Sequence, residues 1–146
     1  MIREATSSDH KSNIEFMKGM ENASEFIKIN SEYAFQVYDH MVKRGVATGL
    51  MKEVDGKVVG CLGFIMSTDL HSGEAIAIET FWFVDPAFRG HGYGNELFDA
   101  FEETAKRKGA KKVAMIHMAD SYPDILEKLY TKRGYRLLEK HYIKEI

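Results

Sequence analysis

The chain has one cysteine, Cys61, and two prolines, Pro86 and Pro123, in 146 residues. A single thiol excludes an internal disulfide and any site built from several thiolates. Nothing in it requires an oxidising compartment. No apolar run approaches the ~20 residues of a membrane span. The opening segment, residues 1–10, lacks the apolar core of a signal peptide, and neither end carries a lipidation signal. The expectation is a cytoplasmic protein with no membrane partner. No sign of charge dominates either. Lys plus Arg number 20 against 22 Asp plus Glu, a formal net charge of -2. That balance argues against a nucleic-acid partner held by bulk charge. The six histidines show no His-Glu-x-x-His spacing, so no metal site is expected. What is there fits one domain spanning residues 1–146, long enough to bury a core without staples.

The hydrophobic pattern predicts mixed α/β structure. Ile2 to Thr6 reads as a short strand, and Ser7, Ser8 and Asp9 offer N-caps for a helix through Ile14 and Met17. Ala34, Val37, Tyr38, Met41 and Val42 make one helical stripe, ended by Gly45. Leu50–Val54 and Lys57–Ser67 flank Asp55-Gly56, a hairpin turn signal. Ala75–Val84 is a long strand stopped by Asp85-Pro86. A glycine-rich turn follows, then a helix with Leu97, Phe101 and Ala105 at four-residue spacing. Lys112–Met118 reads as a strand and Pro123–Arg133 as a helix ended by Gly134. Tyr135–Ile146 supplies one or two closing strands. The order is β-α-α-β-β-β-α-β-α-β(-β), an early antiparallel meander and a later crossover.

The turn Arg89-Gly90-His91-Gly92-Tyr93-Gly94-Asn95, between strand and helix, is an anion site in outline. Its amides and the helix N-terminus point at one place, and glycine lets a phosphate come close. A Walker A loop needs Lys then Ser or Thr, but Asn95 and Glu96 stand after Gly94. A dinucleotide fingerprint needs its third glycine three positions beyond the second, and here Gly90, Gly92 and Gly94 are evenly spaced by two. What is left is an Arg-x-x-Gly-x-Gly loop.

The stretch Phe83 to Phe98, with Val84-Asp85-Pro86 before the loop, resembles the pyrophosphate loop of the GNAT superfamily of acyl-CoA-dependent N-acetyltransferases. Leu129-Tyr130-Thr131-Lys132-Arg133-Gly134-Tyr135 resembles the same family's Leu-Tyr-x-x-x-Gly-Phe/Tyr signature. The element order also matches, so the resemblance covers essentially the whole chain. It implies the GNAT fold: a central mixed, mostly antiparallel sheet with helices on both faces. The ending His141 to Ile146 resembles the shortened last strand of small family members.

The resemblance also implies roles. Arg89, Gly90, His91, Gly92, Tyr93, Gly94 and Asn95 would bind the coenzyme A pyrophosphate, mainly through main-chain amides. Trp82, Phe83 and Val84 would offer their backbone to pantetheine as an added strand. Tyr130 matches the general acid that protonates the departing thiolate. Glu79, a carboxylate in an apolar strand, is the base candidate, with His117 on the next strand as a second. Where many members carry an Asn that contacts pantetheine, this chain has Pro123; Tyr122 or Asp120 are the candidates to replace that contact. Cys61 reads as a core residue. Phe26, Tyr33, Phe35 and Tyr38 read as core by default, in the region that roofs the acceptor pocket in the family.

The implied activity is acetyl transfer from acetyl-CoA to a primary amine by direct attack, without a metal. The acceptor would be a small molecule or a peptide amine. Two other readings stay open: a non-catalytic acyl-CoA-binding or regulatory module, and a protein- or tRNA-directed, toxin-like acetyltransferase. Homodimer formation is open too.

Overall fold

The computed structural model describes residues 1–146. Its elements are β1 (Ile2–Glu4), α1 (His10–Gly19), α2 (Ser31–Lys43), β2 (Ala47–Val54), β3 (Lys57–Thr68), β4 (Ala75–Val84), α3 (Tyr93–Arg107), β5 (Lys112–Ala114) and α4 (Pro123–Lys132). Short 3-10 turns at Ser7–Asp9 and Pro86–Phe88 precede α1 and the glycine loop. The signals seen in the sequence act locally. Asn30 Oδ1 accepts the Tyr33 N–H at 3.0 Å and caps α2. Asp55 and Gly56 take φ of 49° and 75°, the left-handed pair that a two-residue hairpin turn requires.

The five strands lie in chain order, β1-β2-β3-β4-β5. The first four pair antiparallel, while β4 and β5 are parallel because α3 carries the chain across the sheet between them. Strand alternation sorts the core into two layers. Leu50, Leu62, Phe64 and Ala77 pack against Leu97, Phe101 and Ala105 of α3. Met51 and Cys61 point the other way and meet Phe16 of α1. Helices therefore cover both faces, as the α/β reading requires.

β4 breaks its alternation once. Gly63 pairs with Phe81 and Phe64 with Glu79, so Thr80 is the extra residue of a β-bulge. Gly63 makes room for it, since a Cβ there would collide with the Phe81 ring and the Tyr38 hydroxyl. The bulge puts Glu79 on the α3 face with Trp82 and Val84, while Phe81 and Phe83 pack on the α1 side. An unbroken strand would have grouped Glu79 with Phe81 and Phe83.

Four expectations change. Residues 112–118 are regular only to Ala114, because the main chain of Ile116 bonds side chains rather than a strand. Residues 135–146 form no strand; no hydrogen bond ties Arg136–Ile146 to the rest of the chain, and Leu137 and Leu138 are both exposed. On α2 the inward line runs through Ser31, Phe35, Tyr38 and Val42, so Phe35 is buried and Val37 is exposed. The Phe35 ring packs edge-on against His10 of α1, 4.1 Å between centroids. Phe26 and Tyr33 are exposed rather than core, since they lie before α2 and on its outer side.

Candidate active site

β4 runs ten residues, but β5 pairs only with Ile76, Ala77 and Ile78. Beyond Ile78 the two strands part, and the edge of β4 that faces β5 has no partner strand. The opening begins at Glu79. The residue is 5 % exposed, and its Oε2 accepts the Ile116 N–H at 3.2 Å. On the far side, the Tyr130 hydroxyl of α4 donates to the Ile116 carbonyl at 3.2 Å. One residue, Ile116, thus holds both side chains through its two main-chain groups. The bulge at Thr80 and the last turn of α4 bring together residues 51 positions apart.

Burial sets the chemistry of both groups. It pushes the Glu79 carboxyl up from 4.5 to about 7, with the Ile116 N–H pulling back only partly. A carboxylate tuned to neutral pH is suited to give and take a proton there. Tyr130 is held above its ordinary value, by burial first and by the charge of Glu79 second. It is therefore a neutral donor at neutral pH. Its ring sits among Phe98, Tyr135 and His117, with centroids 5.9, 6.1 and 6.1 Å away. His117 is half-buried beside that ring, and its Nδ1 lies 3.4 Å from the Met118 carbonyl. It makes no hydrogen bond to Glu79 or Tyr130.

The glycine loop lies at the other end of the free β4 edge. Gly90 and Gly92 adopt φ of +85° and +81°, left-handed values that turn successive amides the same way. No main-chain N–H from Gly90 to Asn95 has an acceptor within the chain; the Glu96 N–H, donating to Gly92 O at 3.1 Å, is the first that does. These free donors crown the N-terminus of a 15-residue helix. Gly94 packs on the Trp82 ring, where a Cβ would stand 3.3 Å away. Arg89 Nε donates to the Val84 carbonyl at 3.0 Å. The His91 and Tyr93 rings stack at 5.5 Å.

Sequence reasoning missed the brace beneath this loop. Lys52 of β2 has its side chain 7 % exposed, and its Nζ lies 2.6 Å from Glu96 Oε2 in the first turn of α3. The same ammonium stands 4.6 Å from the centre of the Tyr93 ring. Glu96 holds Lys52 above the ordinary lysine value in spite of burial. The available signal was slight, a lysine that follows the apolar pair Leu50-Met51 in β2 and precedes Glu53.

The remaining sequence candidates fall into place around the opening. Trp82 and Val84 belong to the core beneath α3, and Phe83 packs on Phe16 at 5.5 Å. Their side chains are thus taken up by packing and one edge of their main chain by β3, while no strand pairs the other edge. Trp82 Nε1 is buried with no hydrogen-bond partner. Pro123 opens α4 and Tyr122 before it is exposed, with φ of 50°. Asp120 is engaged elsewhere, accepting Ser24 Oγ at 3.1 Å and the Glu25 N–H at 2.7 Å. Cys61 is buried with its thiol held well above its ordinary value by desolvation, an inert core position.

The free edge of a strand that parts from its neighbour thus runs from a carboxylate and a phenol held on one residue to a loop of free amides opening a helix. The model of the acetyltransferase (GNAT) family matches residues 15–135 of the chain. This protein belongs to the GNAT acetyltransferase family. Solved structures share its fold over nearly its whole length. A ribosomal-protein-alanine N-acetyltransferase from Brucella melitensis biovar Abortus 2308 matches at TM-score 0.76 and 19 % identity, covering 100 % of this chain and 99 % of that one. An aminoglycoside antibiotic 6'-N-acetyltransferase from Acinetobacter haemolyticus matches at TM-score 0.76 and 18 % identity, with the same coverage. A predicted acetyltransferase from Clostridium acetobutylicum, solved with acetyl-CoA, matches at TM-score 0.76 and 14 % identity, covering 99 % of this chain and 95 % of that one. The mixed sheet, the helices on both faces and the parted β4–β5 pair are thus the GNAT fold in this chain.

Proposed function

We propose that this GNAT protein transfers an acetyl group from acetyl-CoA to a primary amine by direct attack. The observation that carries the proposal is the Glu79–Ile116–Tyr130 arrangement at the mouth of the parted strands. The residues fit acetyl-CoA. The free amides of Gly90 to Asn95 suit a pyrophosphate, and the edge of β4 that turns away from β3 at Trp82 and Phe83, with no strand beside it, suits an extended amide-bearing arm, as it does at Val84, where Arg89 holds the carbonyl. When bound, acetyl-CoA supplies the thioester carbonyl.

Glu79 takes the amine proton, directly or through a water, as the C–N bond forms. A β4 main-chain N–H stabilises the charge on the carbonyl oxygen. As the C–S bond breaks, Tyr130 meets the sulfur. A phenol held above its ordinary value gives up a whole proton reluctantly. Its main contribution is therefore a strong hydrogen bond to the gathering thiolate charge, with the proton following as sulfur leaves. Holding amine and thioester in one groove supplies the proximity term. The neighbours named for ribosomal-protein alanine and for aminoglycosides act on amines of different size. Acceptor choice in this chain falls to α1, α2 and the strand ends.

Titration with acetyl-CoA tests the binding half. The wild type is expected to bind saturably. Lys52→Met is expected to weaken binding about tenfold, ~1.4 kcal/mol, because Glu96 is left with an uncompensated charge beside the pyrophosphate loop. Adding Glu96→Gln to Lys52→Met should recover most of that loss. A wild type that does not bind acetyl-CoA overturns the proposal, and a double variant as weak as the single one overturns the role given to the brace.

A further inference from the structure

The β2–β3 hairpin contains one cross-strand pair without side chains, Gly49 opposite Gly63. Both lie on the α1 side of the sheet, as Met51 and Cys61 do two residues along in each strand. The pair leaves a hollow in that face, and Tyr38 of α2 occupies it. The Tyr38 ring lies over Gly49, where a Cβ would stand 3.8 Å from Cε1. The Tyr38 hydroxyl lies over Gly63, 2.6 Å from where a Cβ would be. Glycine inside a strand marks a close approach or a bulge, and here the two coincide.

The phenol reaches both sides of the irregularity in β4. Its hydroxyl donates to the Thr48 carbonyl and stands 3.5 Å from the Phe64 carbonyl. Phe64 is the β3 residue opposite Glu79. The Tyr38 ring meets the Phe81 ring edge-on, 4.9 Å between centroids. Phe81 is the first β4 residue after the bulge. Thr80, the extra residue, lies between. Burial holds the phenol above its ordinary value, and the Thr80 hydroxyl acts against that. Phe64, Thr80 and Phe81 thus share one neighbour, supplied by a helix rather than by the sheet.

We infer that Tyr38 is a positioning residue for Glu79: its hydroxyl fills the hollow over Gly63, keeps the Phe81 ring to one side and so locks the bulge that turns Glu79 onto the α3 face. The inference rests on reading Glu79 as the base. Without the hydroxyl, the Phe81 ring can sink into the space left over Gly63, and β4 can regain its alternation. Glu79 would then join Phe81 and Phe83 on the other face, away from the Ile116 N–H and Tyr130. Tyr38 needs no contact with substrate, because it acts through the main chain of β3 and β4. The same contact links α2, to which acceptor choice falls, to the placing of the base.

Tyr38→Phe removes the hydroxyl and keeps the ring, so helical circular dichroism should not change. The direct readout is titration of the Glu79 carboxyl by carboxyl-carbon NMR on the full chain. It needs no activity, so it stands apart from the acetyl-transfer proposal. The titratable groups beside Glu79 are Tyr130 from α4 and Tyr38 from α2, both neutral in this range, with His117 beyond the Tyr130 ring. The wild-type midpoint is expected at about 7. In Tyr38→Phe it should fall by about one pH unit or more as the carboxylate regains water. Turnover should drop about tenfold or more, with the acidic limb moving the same way and KM for acetyl-CoA unchanged. Phe35→Leu loosens α2 through packing alone, so it should lower the melting temperature and leave the midpoint in place. An unmoved midpoint in Tyr38→Phe overturns the inference, and so does an equal fall in Phe35→Leu. A fall confined to Tyr38→Phe with unchanged turnover supports the placing and overturns Glu79 as the base.

Discussion

Glu79→Gln is expected to lower turnover at least about a hundredfold, the lower range for losing a positioned general base. Gln keeps the shape and can still accept the Ile116 N–H, but it cannot take a proton from the amine. The pH profile gives the sharper readout. With the carboxyl pushed up to about 7, wild-type kcat/KM for the acceptor should fall below that pH as the base becomes protonated. In Glu79→Gln that acidic limb should vanish along with the rate. A variant that kept the limb would move the role of base to another group, His117 first.

The same carboxyl makes a linked prediction about stability. Its folded value is raised above the 4.5 of the free group, so the fold favours the protonated form. The proton is held in both states below pH ~4.5, and no penalty exists there. As pH rises from ~4.5 through ~7, the unfolded chain ionises freely while the folded one resists, and wild-type stability falls. Glu79→Gln should therefore gain on the wild type across that window, by up to about 3 kcal/mol, in urea unfolding at acidic and alkaline pH. Equal differences at both ends would mean that burial does not perturb Glu79.

Tyr130→Phe is expected to lower turnover at least about tenfold while leaving the acetyl-CoA affinity in place. The ring stays among Phe98, Tyr135 and His117. Only the hydroxyl is lost, and with it the donor to Ile116 O. Since coenzyme recognition is assigned to the loop amides and the β4 main chain, the kinetic effect should sit in kcat and not in KM for acetyl-CoA. An unchanged kcat removes Tyr130 from the chemistry and leaves it a packing residue.

The elements that place this site were legible in the sequence where local physics decides. The Asp55-Gly56 turn, the Gly90–Gly94 loop and the Leu97, Phe101, Ala105 stripe each signal themselves within a few residues. The bulge at Thr80 did not, because every β4 residue other than Glu79 and Thr80 is apolar and alternation carries no mark there. Its one trace was a carboxylate in an otherwise apolar strand, which singled out Glu79 but not the face it takes. The Lys52–Glu96 brace joins β2 to α3 across 44 positions, a spacing no motif records. The closing strands were expected from the residues of the ending and from its resemblance to the family's last strand, yet a strand needs a partner edge. Ile116 spends its main chain on Glu79 and Tyr130, and Arg136–Ile146 makes no hydrogen bond to the sheet.

The most direct measurement is acetyl transfer itself. The wild type is mixed with acetyl-CoA and, in turn, a polyamine, a free amino acid, an aminoglycoside and a peptide with a free N-terminus, while free thiol and the mass of the amine are followed. The account predicts that at least one acceptor gains a single acetyl group in step with thiol release, and that Glu79→Gln abolishes both signals. Saturable acetyl-CoA binding with neither thiol release nor an acetylated amine from any of them would contradict it, and would make this chain an acyl-CoA-binding module on the same fold.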